Sequence, residues 1–308
     1  MYSVIVPIYN EQDALVDLHK SIRKVLDSFT DTSEIIFIND GSTDKSLERM
    51  KTLSPLKIIN FRKNFGQTAA LDAGIKASQG EIIITLDGDG QNPPSEIPKL
   101  LKKMFAGNYD VVSGWRYQRK DSLGKKITSR GANFLRGFLV KDEIHDSGCT
   151  LKAYRHECFS DIDLHGEMHR FIPAILKWQG YKMGEMKVEH KERTTGKTKY
   201  NWKRTIKGFV DMWSVWFWRK YSARPLHLFG GLGLLSGTAG FALGLYLAVA
   251  RILGYISLQK SVWPLISVFL VLVGLQLFIS GLLADVAIKT YYKDGKQSYN
   301  IKEIIENR

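Results

Sequence analysis

The chain has 308 residues, 44% of them hydrophobic, so it is long enough for one large domain with an appendage or for two small domains, and disorder is excluded as its default state. Lys and Arg outnumber Asp and Glu by 44 to 31. The resulting charge of +13 indicates an anionic partner without separating nucleic acid, an acidic membrane and phosphorylated substrates, and two cysteines indicate a reduced compartment.

Up to about residue 225, short β-branched runs alternate with helical patterns. This alternation predicts an α/β fold with a largely parallel sheet and helices on both faces. Ligands of such sheets bind beyond the carboxyl ends of the strands, so candidate site residues should follow the strands directly. The predicted strands are residues 3–7, 34–39, 57–60, 81–86 and 110–113, and the predicted helices are residues 13–28, 44–53, 66–78 and 95–107.

The turns after the first two predicted strands, residues 7–11 and 39–44, are polar. Asp40 can accept hydrogen bonds from a base or a ribose, Gly41 permits a tight turn, and Asp44 can cap the next helix. Taken singly, each of these is better explained as a turn and a helix cap than as a binding site.

Two aspartates follow the strongly apolar strand at residues 81–86. Asp87 and Asp89, one glycine apart, offer hard oxygen ligands to Mg²⁺ or Mn²⁺, which proteins often hold with one or two carboxylates plus substrate phosphates. Asp-Gly pairs are also common turn formers. Paired acids at the end of a central strand are costly unless a cation compensates them, so we predict a divalent-metal site here.

A basic loop and an aromatic segment precede the apolar part of the chain. Residues 190–200 hold four cations, three threonines and one glycine, a composition that suits a phosphate clamp or a solvated linker. Residues 201–224 mix aromatic and basic side chains at roughly helical spacing, which predicts a helix in the lipid headgroup layer. Residues 128–140 show a similar pattern, which a core helix explains equally well.

Two apolar segments, residues 225–250 and 262–284, contain no Asp, Glu, Lys or Arg. Both are long enough to cross a bilayer and neither has a polar face, so we predict a two-helix anchor. The positive-inside rule then places the large domain in the cytoplasm, at the cytoplasmic (inner) membrane. The four-residue spacing of glycines in the first span favours packing between membrane helices and permits a homo-oligomer; the pairs are Gly233/Gly237 and Gly240/Gly244.

Six motifs occur in order along the first 225 residues. They are Val6-Pro7-Ile8-Tyr9-Asn10-Glu11, Asn39-Asp40-Gly41-Ser42, Asn64-Phe65-Gly66-Gln67, Asp87-Gly88-Asp89-Gly90-Gln91, Glu167-Met168-His169-Arg170-Phe171 and Arg193-Thr194-Thr195-Gly196-Lys197-Thr198-Lys199-Tyr200. The ordered set resembles the GT-A glycosyltransferases of family two, in the branch that acts on polyprenyl phosphates. The resemblance implies a Rossmann-like GT-A domain over residues 1–200, a juxtamembrane amphipathic helix over 201–224, a transmembrane anchor over 225–288 and a cytoplasmic tail over 289–308.

The same resemblance implies inverting transfer of a hexose from a nucleotide sugar, with UDP-glucose favoured, to polyprenyl or undecaprenyl phosphate for cell-envelope or protein glycosylation. It implies Mg²⁺ or Mn²⁺ as cofactor, membrane lipid as a partner and no nucleic acid. It assigns nucleotide binding to Pro7, Tyr9, Glu11, Asp40 and Asp87, metal binding to Asp87, Asp89 and Gln91, and phosphate or acceptor binding to Arg116, Arg130, Arg193, Lys197 and Lys199.

The chain departs from the family pattern in two motifs. Asn39 stands where many relatives have an aspartate, and Cys149 stands where several have an acid, which leaves Asp146 as the candidate base beside Asp89 as the other catalytic residue. A phosphate monoester has a second pKa of about 6 and needs little deprotonation. We therefore predict that Asp89→Ala abolishes transfer with the fold intact, whereas Asp146→Asn leaves measurable activity.

Three other functions fit parts of the pattern. A GDP-mannose-dependent dolichyl- or polyprenyl-phosphate mannose synthase would use the same motifs. A processive polysaccharide synthase would carry a Gln-x-x-Arg-Trp motif and more membrane helices, and this sequence has neither. A membrane-tethered nucleic-acid-binding protein would explain the basic charge, but acidic clusters at strand ends would repel a polyanion.

Overall fold

The computed structural model describes residues 1–117, 144–160, 162–164, 166–190, 217, 221, 225–257, 261–294 and 301–307. Its strands are β1 Tyr2–Ile8, β2 Ser33–Asn39, β3 Leu56–Phe61, β4 Ile82–Thr85, β5 Val111–Arg116, β6 Lys152–Arg155, β7 Met183–Val188 and β8 Ile301–Asn307. Its α-helices are α1 Leu15–Leu26, α2 Ser46–Lys51, α3 Gln67–Ala77, α4 Ile97–Ala106, α5 Ile172–Trp178, α6 Pro225–Ile252 and α7 Trp263–Asp294.

The strands form one eight-stranded sheet in the order β7-β5-β6-β4-β1-β2-β3-β8. The pairs β4–β1, β1–β2, β2–β3 and β5–β7 are parallel, while β6 and β8 run antiparallel to their neighbours. The predicted α/β fold with a mostly parallel sheet is confirmed, and each of the five predicted strands and four predicted helices has a counterpart within a few residues.

Alternate residues of β1 point to the two faces of the sheet, and each face has its own apolar core. Val4 and Val6 pack in the cluster that includes residues of α1 and α4, whereas Ile5 packs in the cluster that includes residues of α3 and α5. All three side chains are fully buried. Because a strand alternates its side chains, a continuous apolar run is what a strand covered on both faces requires.

The order in which the strands are added to the sheet reverses between β1 and β4, which are parallel neighbours. The chain runs outward from β1 through β2 to β3 on one side and then crosses to β4 on the other. The carboxyl ends of these strands meet at a single edge, and the crevice at such a switch point is where open α/β sheets bind ligands. Pro7, near the end of β1, and the turns at Asp40 and Asp87 all lie at this edge.

The last strand, β8, comes from a part of the chain that the sequence assigned to a tail. It pairs antiparallel with β3 along residues 301–307, so that Ile58 faces Ile305 and Ile59 faces Ile304 across the ladder. Lys57 also lies 3.5 Å from Glu306. The outer edge of β3 is therefore covered by the residues that follow the second apolar helix.

The contacts between residues divide the chain into two compact units. The first comprises Met1–Val215 and Gln297–Arg308, and the second comprises Trp216–Lys296. In the second unit, Pro225–Ile252 and Trp263–Ala287 are long and apolar enough to cross a membrane by length and composition. A carbon added to Gly274 would lie 2.6 Å from both the Gly233 carbonyl oxygen and the Gly237 amide nitrogen. These glycines thus serve the contact between α6 and α7 of one chain, and a homo-oligomer stays a prediction.

Several expectations from the sequence concern residues that lie outside the described ranges. They are the acceptor contacts Arg130, Arg193, Lys197 and Lys199, the helix predicted over residues 128–140, and the juxtamembrane helix over 201–224 apart from Phe217 and Tyr221.

Candidate active site

The turns after β1 and β2 are hydrogen-bonded to each other. The Asn10 amide donates to Ser42 Oγ at 3.0 Å, and the Thr43 amide donates to Asn10 Oδ1 at 2.8 Å. Asn10 adopts φ 56°, a left-handed conformation that asparagine tolerates better than most residues. Tyr9, one residue earlier, is 41% exposed at the rim of the switch point, where its ring is open to a ligand.

Asp40 is buried at the end of β2 and holds the loop before α3. Its carboxylate accepts hydrogen bonds from the amides of Phe65 at 2.7 Å and Gly66 at 3.0 Å, and from Asn64 Nδ2 at 3.0 Å. Burial raises the pKa of this carboxyl above its ordinary value, although the two amide donors favour the charged form. Asp40 thus positions the loop before α3, and its predicted role in binding the nucleotide stays a prediction.

The loop held by Asp40 ends at the first residue of α3, and that residue contacts the acidic turn after β4. Gln67, the first residue of α3, donates from Nε2 to Asp87 Oδ1 at 2.8 Å. The next residue, Thr68, places its hydroxyl 2.8 Å from Nδ1 of His169. The motif around His169 therefore meets the N-terminus of α3 beside the acidic turn, so contacts link five of the six sequence motifs at one edge of the sheet.

Asp87 and Asp89 form the acidic centre of this edge. Burial and the charge of Asp89 raise the pKa of Asp87 to about 6. Asp89 Oδ1 accepts a hydrogen bond from the Gln91 amide at 3.1 Å, which closes the turn. Gly88 allows the turn to lie against β1, because an added carbon there would be 2.5 Å from Ile8 Cδ1.

These residues fit a divalent cation whose remaining ligands are water molecules or substrate oxygens. Carboxylate and amide oxygens are hard donors, and a cation here would offset the burial and the charge of Asp89 that raise the pKa of Asp87. Among the described residues, no group of three or more His, Cys, Asp or Glu side chains could hold a metal. Two carboxylates plus a substrate diphosphate, with Gln91 next to them, match the way Mg²⁺ is commonly bound.

Asp87 is also supported from the loop before β6. Thr150 hydrogen-bonds to Asp87, and its hydroxyl in turn accepts from Asn92 Nδ2 at 3.0 Å. The Thr150 carbonyl accepts from Thr85 Oγ1 at 2.7 Å, which ties this loop to the end of β4. Sequence reasoning assigned no role to Thr150 or Asn92, because neither falls in a recognised acidic or basic cluster.

Arg116 and Asp146 form a bidentate ion pair at the end of β5. Arg116 Nε lies 2.7 Å from Asp146 Oδ2, and Nη2 lies 2.9 Å from Oδ1. Burial alone would raise the pKa of Asp146, but the hydrogen bonds and charge of Arg116 hold it below its ordinary value. A carboxylate bound in this way is a poor proton acceptor, and the guanidinium it binds is fixed in place.

The loop between Asp146 and β6 contains a thiol and a lysine. Burial raises the pKa of Cys149 to about 11, so this side chain, which stands where several relatives have an acid, is protonated at neutral pH. Lys152 is 2% exposed, and Nζ donates to the carbonyl oxygens of Ser147 at 3.3 Å and of Cys149. Burial lowers the pKa of Lys152.

The structure brings Pro7, Asp87 and Asp89 to the switch point, and the charge of Arg116, which binds Asp146, acts on Asp87. It also adds residues that the sequence did not single out, because Gln67, Thr150 and Lys152 line one small cavity with Pro7. The only signal for Lys152 was a cation between the apolar residues of Leu151-Lys152-Ala153-Tyr154. The roles predicted for all the site residues stay predictions, those of Tyr9, Glu11 and Gln91 as well as those of the acids and of Arg116.

Comparison with families of known proteins gives one match over half the chain. The family model described as Glycosyl transferase family 2 matches residues 3–163. The dodecaprenyl-phosphate galacturonate synthase of Rhizobium johnstonii is 36% identical, over 99% of this chain and 93% of its own length. The undecaprenyl-phosphate 4-deoxy-4-formamido-L-arabinose transferase of Salmonella choleraesuis is 34% identical, over 98% of this chain and 93% of its own.

Solved structures show the same catalytic fold. Glucosyl-3-phosphoglycerate synthase of Mycobacterium tuberculosis, crystallised with Mn²⁺, UDP and glucosyl-3-phosphoglycerate, aligns with a TM-score of 0.57 at 16% identity, over 71% of this chain and 79% of its own. The same enzyme crystallised with Mg²⁺ and UDP aligns with a TM-score of 0.53, over 69% and 79%. At this identity the likeness confirms the GT-A fold that the sequence motifs implied.

Proposed function

The chain belongs to glycosyl transferase family 2, and we propose that it transfers a sugar from a nucleotide carrier to a polyprenyl phosphate, with inversion at the anomeric carbon. The observation that carries the proposal is the acidic pair Asp87 and Asp89 at the switch point of the sheet, held by Gln67 and Thr150. Relatives named as polyprenyl-phosphate sugar transferases match nearly the whole chain, including both apolar helices.

The acidic pair would act on the leaving nucleotide. A Mg²⁺ or Mn²⁺ ion bound by Asp87 and Asp89 would supply Lewis-acid stabilisation to the departing diphosphate. Gln67 and Thr150 orient Asp87 for this role, and Asp40 keeps the loop before α3 in the conformation that places Gln67. The Arg116 guanidinium, oriented by Asp146, provides a fixed cation for phosphate oxygens at the same edge.

The acceptor phosphate would need little help from a base. Its second pKa is about 6, so most of it is doubly charged at neutral pH and its oxygen can attack the anomeric carbon directly. Among the described groups of the loop before β6, Cys149 is protonated and Asp146 is bound to Arg116. The loop therefore has to position and shield charges, and alignment of the two substrates provides the rest of the acceleration.

The two apolar helices support an anchor that brings the domain to its lipid acceptor. We propose that the catalytic domain faces the cytoplasm at the inner membrane, because basic residues flank the apolar pair on the side of the large domain. The donor sugar is the open part of the proposal. The relatives' names include galacturonate and a formamido-arabinose but not glucose, so UDP-glucose is one donor to test among several.

The full chain, purified in detergent, should be incubated with Mn²⁺, undecaprenyl phosphate and one radiolabelled donor at a time: UDP-glucose, UDP-galacturonate, a UDP-linked amino sugar or GDP-mannose. We expect one donor to yield an organic-soluble labelled lipid that mild acid cleaves, as expected of a sugar phosphodiester. The control omits the polyprenyl phosphate. Label from no donor, or label that does not depend on the lipid phosphate, would contradict the proposal.

Replacement of Asp146 by asparagine tests whether this residue is a base. A general base contributes roughly 10²- to 10⁴-fold to the rate. Because Asp146 is already paired with Arg116, we expect Asp146→Asn to reduce kcat by less than about tenfold, with a lower unfolding temperature from the weakened ion pair. Steady-state transfer and thermal unfolding in the same detergent measure both effects. A loss of about a thousandfold with unchanged stability would restore Asp146 as the base.

A further inference from the structure

Lys152 is a buried lysine that the chemistry proposed above does not use. It lies on β6, opposite Thr85 of β4 and Ser113 of β5 in the register of the sheet, and is 2% exposed. Its ammonium group donates to the carbonyl oxygens of Ser147 and Cys149. These carbonyls satisfy its hydrogen bonds without neutralising its charge, and lysines are rarely buried unless the charge is compensated.

Lys152 lines one small cavity with Gln67 and Thr150, both of which hydrogen-bond to Asp87, so it lies beside the acidic centre. The charges of Asp146 and Asp87 act favourably on Lys152, and Arg116 is a second cation near it. Asp89 in turn acts on Asp87. This part of the described structure therefore holds three carboxylates and two cations, so with all five ionised it carries one net negative charge before any ligand binds.

We propose that Lys152 is a positioning residue whose fixed charge sets the ligand preference of the Asp87–Asp89 site: it opposes a divalent cation alone and favours the cation together with a nucleoside diphosphate. The inference rests on the proposed function, since it concerns the same site. A nucleoside diphosphate carries about three negative charges near neutral pH, so its complex with one divalent cation is anionic. A buried positive charge repels the free cation and attracts that complex.

A purely structural role for Lys152 makes a different prediction. If the lysine only fixed the loop through the carbonyls of Ser147 and Cys149, its loss would loosen Thr150 and, through it, Asp87. The affinity for the cation alone and the affinity for the cation with the diphosphate would then fall together. The proposal instead requires the two affinities to change in opposite directions when the charge is removed.

The experiment measures Mn²⁺ binding to the purified full chain by electron paramagnetic resonance of free Mn²⁺, and UDP binding at saturating Mn²⁺ by calorimetry. Lys152→Gln keeps a donor for the carbonyls and removes the charge, Lys152→Met removes both, and Lys152→Arg keeps the charge. For the two uncharged variants we expect about tenfold tighter Mn²⁺ binding without nucleotide and about tenfold weaker UDP binding with Mn²⁺. Lys152→Arg should stay within about threefold of the wild type in both.

Lys20→Gln, on the exposed side of α1, controls for the change in net charge and should leave both affinities unaltered. The proposal is overturned if both affinities of Lys152→Gln fall together, if neither changes, or if the uncharged variants fail to fold, since the charge would then serve the fold. Wild-type protein that shows Mn²⁺-dependent binding of neither UDP nor GDP would instead contradict the proposed function. The two failures are therefore distinguishable by the wild-type measurement alone.

Discussion

Asp89→Ala is expected to reduce sugar transfer by about a thousandfold or more while the protein stays folded. Lewis-acid stabilisation of a leaving group is worth several kcal/mol, and each 1.36 kcal/mol is a factor of about ten in rate. Asp89 is only partly buried and lies in a turn, where its carboxylate accepts a hydrogen bond from the Gln91 amide at 3.1 Å, so we expect Asp89→Ala to keep the fold. Transfer of labelled sugar to the lipid and the unfolding temperature in detergent measure the two effects.

Asp17→Ala is the matched control for this substitution. Asp17 is an exposed acid in the first turn of α1, and its replacement should leave the rate within about twofold of the wild type. Excess EDTA should reduce the wild-type rate about as far as Asp89→Ala does, and added Mn²⁺ or Mg²⁺ should restore it. Full activity of Asp89→Ala, or full activity in EDTA, would remove the metal role from this carboxylate.

The parallel part of the sheet could be predicted because its signals are local. The strands β1 to β5 are short runs rich in apolar residues, and helices alternate with them. The spacing of apolar residues and the residues typical of turns therefore suffice to place both kinds of element. The candidate metal ligands followed from the same logic, since Asp87 and Asp89 come directly after β4. The two apolar helices could be predicted as well, because residues 225–250 and 262–284 contain no Asp, Glu, Lys or Arg over a length that spans hydrocarbon.

The antiparallel strands could not be predicted in the same way. Strand β6 has four residues and carries Lys152 and Arg155, so its composition alone argues against a central strand. Strand β8 reads Ile-Lys-Glu-Ile-Ile-Glu-Asn, without strict alternation of apolar and polar residues, and its partner is β3, which lies some 240 residues earlier in the chain. Pairing over such a separation depends on which sheet edge is left open, and that is a property of the whole fold.

Side-chain roles at the site were less predictable than residue identities. The motifs named Asp40 and Asp146 as acids, but a motif does not show what an acid is bonded to. In the fold both carboxylates are already engaged, Asp40 by backbone amides and Asp146 by Arg116. Lys152 was not predicted as a site residue, because it is a single lysine in an apolar run. The sequence does not show that the fold brings carboxylates close to it.

Ile305→Asp is expected to destabilise the catalytic unit, because β8 closes the edge of its sheet. Ile305 faces the fully buried Ile58 across the ladder and packs against the core cluster shared with α1 and α4. Loss of this apolar contact and insertion of a carboxylate should cost about 2–4 kcal/mol. For a domain of this size that corresponds to a fall in the apparent Tm of roughly 5–10 °C. Thermal unfolding and the monodisperse yield in detergent are the measurements.

Ile304→Asp provides a control one residue away on the other side of the same strand. Ile304 is 50% exposed, so a carboxylate there remains hydrated and should cost about 1 kcal/mol or less. The contrast between the neighbours decides whether β8 is part of the sheet in solution, because side chains alternate only in a paired strand. If residues 301–307 were an unpaired tail, the two aspartates would behave alike, and the uncovered edge of β3 would have to be protected in some other way.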